Sequence, residues 1–152
     1  MLPRIDPLRS YNFIISLIDD SNPVTLALSL VGSVALGGFT ECSGLESTLN
    51  FEEYKEGGNN IASLKFPTRV SHNAIRLKRG VGLGDDLWNW HNEYVFGRGK
   101  RRNGIIVLQN DDHIPIKMWV FNRGMPTKYS GPNLNAMQSQ VAIEELEVVH
   151  EG

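Results

Sequence analysis

A chain of 152 residues with 41% hydrophobic and 21% charged side chains falls in the soluble globular range and fits one domain with a real core. Its formal net charge of -2 gives no basis for a chain-wide grip on nucleic acid or anionic lipid. Cys42 is the single cysteine, which excludes an internal disulfide and a cysteine-based zinc site.

The segment from Met1 to Pro7 lacks the charged and apolar regions of a secretory signal. Tyr11, Phe13, Ile15 and Leu17 fall on one face and Asn12 and Ser16 on the other, which predicts a half-buried strand. Asp19-Asp20-Ser21-Asn22-Pro23 is a turn cluster. Val24 to Leu36 reads either as a buried strand pair or as a helical segment, and Gly32 and Gly37-Gly38 argue for strands with a bend. The stretch is too short to span a bilayer, which takes about 20 apolar residues. Leu45, Ser47, Leu49 and Phe51 form a second alternating run. Glu52 to Asn60, charged and then rich in Gly and Asn, is expected to be a long exposed loop, longer than the ~2–5 residues a hairpin needs to turn. Ile61 to Phe66 resumes a strand, limited by Pro67, and Ala74 to Gly80 is a short strand with a basic face.

One helix is predicted, from Asp85 to Phe96. Gly84-Asp85-Asp86 offers an N-cap and first-turn acids. Leu87, Trp90, His91 and Tyr94 share one face, and Gly97 stands at the C′ position. Trp88 and Trp90 lie ~200° apart around such a helix, so one faces the core and the other is exposed or covered by a partner. Ile105 to Leu108 is a strand apolar on both faces, with Ile116 to Phe121 as its hairpin partner. Gly124-Met125-Pro126 and Gly131-Pro132-Asn133 bracket a loop-rich segment. In the last strand Val141 and Ile143 share one parity and Leu146 and Val148 the other, which a β-bulge at Glu144-Glu145 would reconcile. This strand ends almost where the chain ends, so it is expected to be paired. The fold class is mainly β: a small antiparallel β-barrel or sandwich flanked by one helix.

The chemistry-bearing residues do not form a catalytic pattern. Gly80-Val81-Gly82-Leu83-Gly84 lacks the spacing of a phosphate-binding loop. His72, His91, His113 and His150 have no partner at metal-ligand spacing, and Asp111-Asp112-His113 reads as a turn. Cys42 has no base beside it in sequence. No catalytic residue, cofactor site or metal site is assigned. Lys100-Arg101-Arg102 with Arg98 is a basic run near Phe96, fit for a solvated turn, a protein neighbour or nucleic acid.

Four groups of residues carry a family resemblance. Asp6-Pro7-Leu8 leads into Tyr11-Asn12-Phe13. Gly38-Phe39-Thr40-Glu41-Cys42-Ser43-Gly44-Leu45-Glu46 is followed by Tyr54-Lys55-Glu56-Gly57-Gly58-Asn59. The helix holds Leu87-Trp88-Asn89-Trp90. Ala142-Ile143-Glu144-Glu145-Leu146-Glu147 runs on to His150-Glu151-Gly152. In this order the chain resembles the tail-tube proteins of contractile bacteriophages, and among them the inner-tube proteins of phage-derived contractile injection systems.

The resemblance implies a non-enzymatic structural subunit. Six copies form a ring, and rings stack into a rigid hollow conduit inside a contractile sheath. Implied partners are further copies of the chain, the sheath protein, baseplate or spike and tube-cap proteins, and a luminal cargo of protein effector or DNA. No membrane insertion by this chain is implied. Assembly would occur in a bacterial cytoplasm or an infected host, and the product would be an extracellular particle or a virion tail. Residue by residue, Glu52, Glu53, Tyr54, Lys55, Glu56, Gly57, Gly58 and Asn59 correspond to the loop that reaches the adjoining ring. Leu8, Tyr11, Phe13, Glu144, Glu145, Leu146, Glu147 and His150 correspond to subunit contacts, and Asp85, Asp86 and Glu93 to the sheath-facing surface. The alternative from residues alone is a stand-alone β-barrel module that uses Arg98 to Arg102 and an aromatic face to bind nucleic acid or a ligand.

Overall fold

A computed structural model describes residues 12–19, 39–58, 61–82 and 85–152. The expected segment Val24 to Leu36, and the residues Leu8, Tyr11, Asn59 and Gly84, lie outside the described residues. Eight strands and one helix are described. They are β1 (Phe13–Asp19), β2 (Glu41–Ser43), β3 (Ser47–Tyr54), β4 (Leu64–His72), β5 (Ile75–Gly80), α1 (Asp86–Val95), β6 (Arg102–Gln109), β7 (Pro115–Ser130) and β8 (Ile143–Val149). Six of them form one antiparallel sheet in the order β1-β6-β7-β8-β5-β2, and β3 pairs with β4 in a separate two-stranded ribbon. Among the described residues β1 and β2 are not paired with each other, so the described sheet is not the closed barrel that the expectation allowed. A curled six-stranded sheet encloses the core without the further pairing that closure requires.

The curl comes from β7, which was expected to break at Gly124-Met125-Pro126. It continues instead for 16 residues. Its first half pairs with β6 and its second half with β8. Between them Arg123 takes a left-handed conformation (φ 53°) and the register against β6 slips. A β-bulge of this kind bends and twists a strand without ending it. The Arg123 N–H donates to Asn103 Oδ1 at 2.9 Å, which holds the corner. Pro126 fits because its missing donor falls beside a second register shift, between Pro126 and Lys128.

Both halves of the curled sheet supply one core. Ile15 and Leu17 of β1, Ile75 and Leu77 of β5, Ile106, Phe121, and Leu146 and Val148 of β8 are buried together with Leu87 and Trp90 of α1. The period-two reading of β1 thus holds for Ile15 and Leu17, with Phe13 packed against the edge of the cluster.

The parity conflict in β8 is settled without the expected bulge. Its register against β5 is unbroken from Ile143 to Val148. Glu144, Leu146 and Val148 point inward, and Ile143 is left 44% exposed. An inward carboxylate is tolerable only with a partner. Glu144 has two, the buried Arg79 guanidinium and the Tyr129 hydroxyl, which donates at 2.7 Å. Burial, followed by that bond to Glu144, pushes the Tyr129 hydroxyl up to about 12.

Helix α1 forms where its spacing predicts. Leu87 and Trp90 are buried, and the Trp90 indole N–H donates to the Lys100 carbonyl at 3.1 Å. Trp88 is half-exposed, edge-on to Tyr129 with ring centres 5.2 Å apart. At the C-terminus Gly97 is left-handed, its N–H bonds the Tyr94 carbonyl, and the Arg98 N–H bonds the Glu93 carbonyl at 2.8 Å. That double closure is a Schellman motif. The N-terminus differs from expectation. Asp85 is the N-cap, but its side chain makes no capping hydrogen bond, so Asp85 and Asp86 act on the helix through charge alone.

Candidate functional site

The stretch expected as a loop is the outer half of a long ribbon. β2 and β5 pair at its root, inside the sheet, and β3 and β4 pair beyond it. Glu52, Glu53 and Tyr54 therefore belong to β3, and only the residues from Lys55 onward form the tip, with Gly58 left-handed at φ 97°. Pro67 does not stop β4, because both strands of an isolated pair are edge strands and one missing donor can face water. Eight residues of β3 at ~3.3 Å each carry the arm about 26 Å from its root.

The bend at the root has a specific cause. Gly44 is left-handed at φ 89°, and a Cβ on it would collide with the Ala74 carbonyl oxygen. Asn73 Nδ2 donates to the Glu46 carboxylate across the same bend. Beyond it no side chain of β3 or β4 is buried. Leu49, Phe51, Tyr54, Phe66 and Val70 are each more than half exposed. They stand on both faces of the ribbon, with Lys65 over the Phe51 ring at 5.3 Å. A lone two-stranded hairpin is marginal in water, so an arm with apolar groups on both faces is built to be covered.

The other predicted residues are distributed over the sheet and helix. β8 is hydrogen-bonded on both sides, to β5 and to β7, and offers no free edge to a neighbour. Glu144 and Leu146, expected among subunit contacts, are buried inside the subunit, whereas Glu145, Glu147 and His150 remain partly accessible. Among the described residues the open edges include both strands of the arm, β1, β2, and the sides of β7 that face away from β6 in its first half and away from β8 in its second half. Asp85 and Asp86 are exposed and Glu93 partly so, with Asp86 and Glu93 two turns apart on one stripe of α1 beside the buried Trp90.

Two features escaped the sequence reading. The outer face of β1, β6 and the first half of β7 holds an apolar groove of about 260 Å³, lined by Ile14, Ile105, Val107, Ile116 and Met118 with Lys117 at its rim. The signal for it was the two-sided apolar pattern of Ile105 to Leu108. The second is a histidine pair at the arm root. The His72 and His150 rings lie 5.4 Å apart. His150 Nδ1 accepts from the Gly152 N–H at 3.1 Å while Nε2 lies 3.1 Å from the Asn73 carbonyl, a set that fits the neutral ring. Burial, and then His72, lower its affinity for a proton, against the opposing pull of the Asn73 carbonyl.

The reactive groups are engaged elsewhere. Burial, with a smaller push from Glu41, raises the Cys42 thiol to about 11, opposite to what a nucleophile needs. Asp111 to His113 is a turn closed on Asn110, whose side-chain oxygen accepts from the Asp112 and Ile114 N–H groups. Within the basic run Arg101 pairs with Glu151 at 3.0 Å and Arg102 stacks over the Trp90 ring at 5.6 Å. Among the described residues no three His, Cys, Asp or Glu side chains are grouped to hold a metal, and no helix is long and apolar enough to cross a membrane.

An open curled sheet, one capping helix and a projecting ribbon together define a structural module that presents edges and apolar surface. The profile of the T4-like virus tail tube protein gp19 family matches residues 9–152, and the chain belongs to that family. It is a tube subunit by family. The fold is similar to a chain in the anti-feeding prophage (AFP) baseplate structure, with 24% identity over 98% of this chain and 95% of that one and a TM-score of 0.83. It is also similar to a chain in the PVC extracellular contractile injection system sheath–tube complex in its extended state, with 24% identity, 96% and 88% coverage and a TM-score of 0.76. A chain of the AFP tube-terminating cap has 21% identity, 97% and 89% coverage and a TM-score of 0.79. No curated protein sequence matches the chain.

Proposed function

We propose that six copies close into a ring, that rings stack into the rigid inner tube of a contractile injection apparatus, and that the β3–β4 arm joins one ring to the next. The observation that carries this is the arm, whose apolar residues on both faces are more than half exposed. Burying the remaining surface of five such side chains is worth on the order of 5 kcal/mol per arm. Ring closure would pair the open edges at β2 and the second half of β7, removing an aggregation hazard. Asp85, Asp86 and Glu93 are assigned to the sheath-facing surface, and Phe13 and His150, with Leu8 and Tyr11, to contacts between subunits. The baseplate and cap take the two ends of the tube, and its bore carries the cargo. The role is mechanical, without a catalytic step.

Negative-stain electron microscopy of the purified full chain, with sedimentation in parallel, tests this. Annular particles with an open centre or hollow filaments are expected. Monomers at high concentration, in the presence of a baseplate nucleus, would overturn it.

A further inference from the structure

The register of β2, β5, β8 and the second half of β7 places charges in rows on the face turned away from the core. Glu41 stands opposite Lys78, and Lys78 opposite Glu145. Two residues along, Ser43 stands opposite Arg76, Arg76 opposite Glu147, and Glu147 opposite Lys128. None of these side chains is buried, while Leu77, Arg79, Glu144, Leu146 and Val148, which alternate with them, are. Every carboxylate therefore faces a cation on the next strand, and every cation a carboxylate. Lys78 Nζ reaches Glu41 at 3.5 Å.

Neighbouring strands are ~5 Å apart, so the field of this lattice alternates in sign on that scale and dies away within a layer or two of water. The face is strongly hydrated yet presents no net charge at a distance. Covering it with protein would desolvate six ions, for which their mutual attraction compensates poorly. The groove of Ile14, Ile105 and Met118 on the other half of the sheet has the opposite character. Helix α1 lies across the core from the charged face, with Leu87 and Trp90 in the cluster that holds Leu77 and Leu146, and Trp88 against Tyr129. Helix α1, with its exposed Asp86, and the charged rows therefore lie on opposite sides of the core.

We propose, resting on the tube assembly above, that the face bearing Glu41, Arg76, Lys78, Lys128, Glu145 and Glu147 is the wall of the bore, and that its row-by-row compensation suits hydrated cargo that the wall must not retain by charge of either sign. This places Glu145 and Glu147 on the passage instead of between subunits.

Site-directed labelling tests the placement. Full-length chains carrying Cys42→Ala and one of Glu145→Cys, Arg76→Cys or Asp86→Cys are assembled and imaged. They are then treated with a small maleimide dye or with a maleimide-bearing globular protein too wide for the bore. The dye is expected to label all three, and the protein conjugate Asp86→Cys alone. Conjugate labelling of Glu145→Cys or Arg76→Cys filaments at the level of Asp86→Cys would overturn the proposal. So would failure of those two variants to assemble where Asp86→Cys succeeds, since the face would then be an interface. Absence of filaments from the unsubstituted chain as well would bring down the tube assembly itself.

Compensation is tested separately with Arg76→Glu/Lys128→Glu filaments. These should hold a small cationic protein at low salt and release it at high salt, while unsubstituted filaments retain none. Equal retention by both would overturn the argument from charge.

Discussion

Removing the carboxylate of Glu144 should be far more damaging than removing it together with its partner. The Arg79 and Glu144 side chains are 9% and 6% exposed, and Tyr129 donates to the second carboxylate oxygen at 2.7 Å. Glu144→Ala strips a buried guanidinium of its anion and a half-buried hydroxyl of its acceptor. Breaking one side of such a pair costs about 3–5 kcal/mol. For a chain of this size, at about 2–4 °C per kcal/mol, the melting temperature should fall by roughly 6–20 °C. Against a total stability of about 5–15 kcal/mol, a measurable fraction would be unfolded at 37 °C. The double variant Arg79→Met/Glu144→Leu removes both charges and fills the space, and should lie within about 1 kcal/mol of the parent or above it. Urea unfolding followed by tryptophan fluorescence, on dilute unassembled chain and as a complete double-mutant cycle, measures both. A double variant as unstable as Glu144→Ala would refute the reasoning, because the loss would then come from packing and not from a stranded charge.

Gly44→Ala should destabilise by more than about 1 kcal/mol, because the residue is left-handed and its Cβ meets the Ala74 carbonyl. It should also abolish filaments while the circular dichroism spectrum stays β-like, and normal filaments would show that the bend does not aim the arm. Deleting Gly57-Gly58 at the tip should leave the melting temperature of the unassembled chain unchanged and shorten or abolish tubes; tubes of normal length would remove the tip from ring stacking. His150 is more readily deprotonated folded than unfolded, so its contribution to stability is complete above the unfolded value of ~6.5 and is lost as pH falls through the lower folded value. The melting temperature should be flat from pH 8 to about 6.5 and drop below it, and His150→Gln should flatten the drop; an unchanged drop in that variant would locate the titration elsewhere. Reversing Asp86 and Glu93 to Lys should weaken sheath binding in co-sedimentation while naked tubes still form, and unaltered sheathing would clear α1 of that role.

The elements with strong local periodicity were legible from residues alone. α1, β1 and the β6–β7 hairpin follow from spacing, and Gly97 marks the helix end that the structure shows. Misreadings occurred where a long-range partner outweighed a local rule. A bulge at Glu144-Glu145 looked necessary to bring Val141 and Ile143 into phase with Leu146 and Val148, and a buried arginine 65 positions away lets Glu144 face inward instead. Pro67 and Gly124-Met125-Pro126 looked like strand ends. An edge position tolerates the first, and a bulge at Arg123 carries β7 through the second. Only Glu52 to Asn60 was read as a loop, because its composition is polar and Gly-rich, whereas β3 runs on through Tyr54 by pairing with β4 without a core. That β1 and β2 do not pair with each other among the described residues is long-range geometry, which no local pattern encodes.

The corner in β7 also bears on how load passes through the molecule. One backbone runs from Pro115 to Ser130, laced to β6 at one end and to β8 at the other. A shear that tries to slide the two halves of the sheet past each other must stretch covalent bonds or unzip a full ladder of hydrogen bonds loaded in parallel. Side-chain packing alone would creep under the same force. A subunit pinned in this way behaves as a small bracket, stiff along the length of β7.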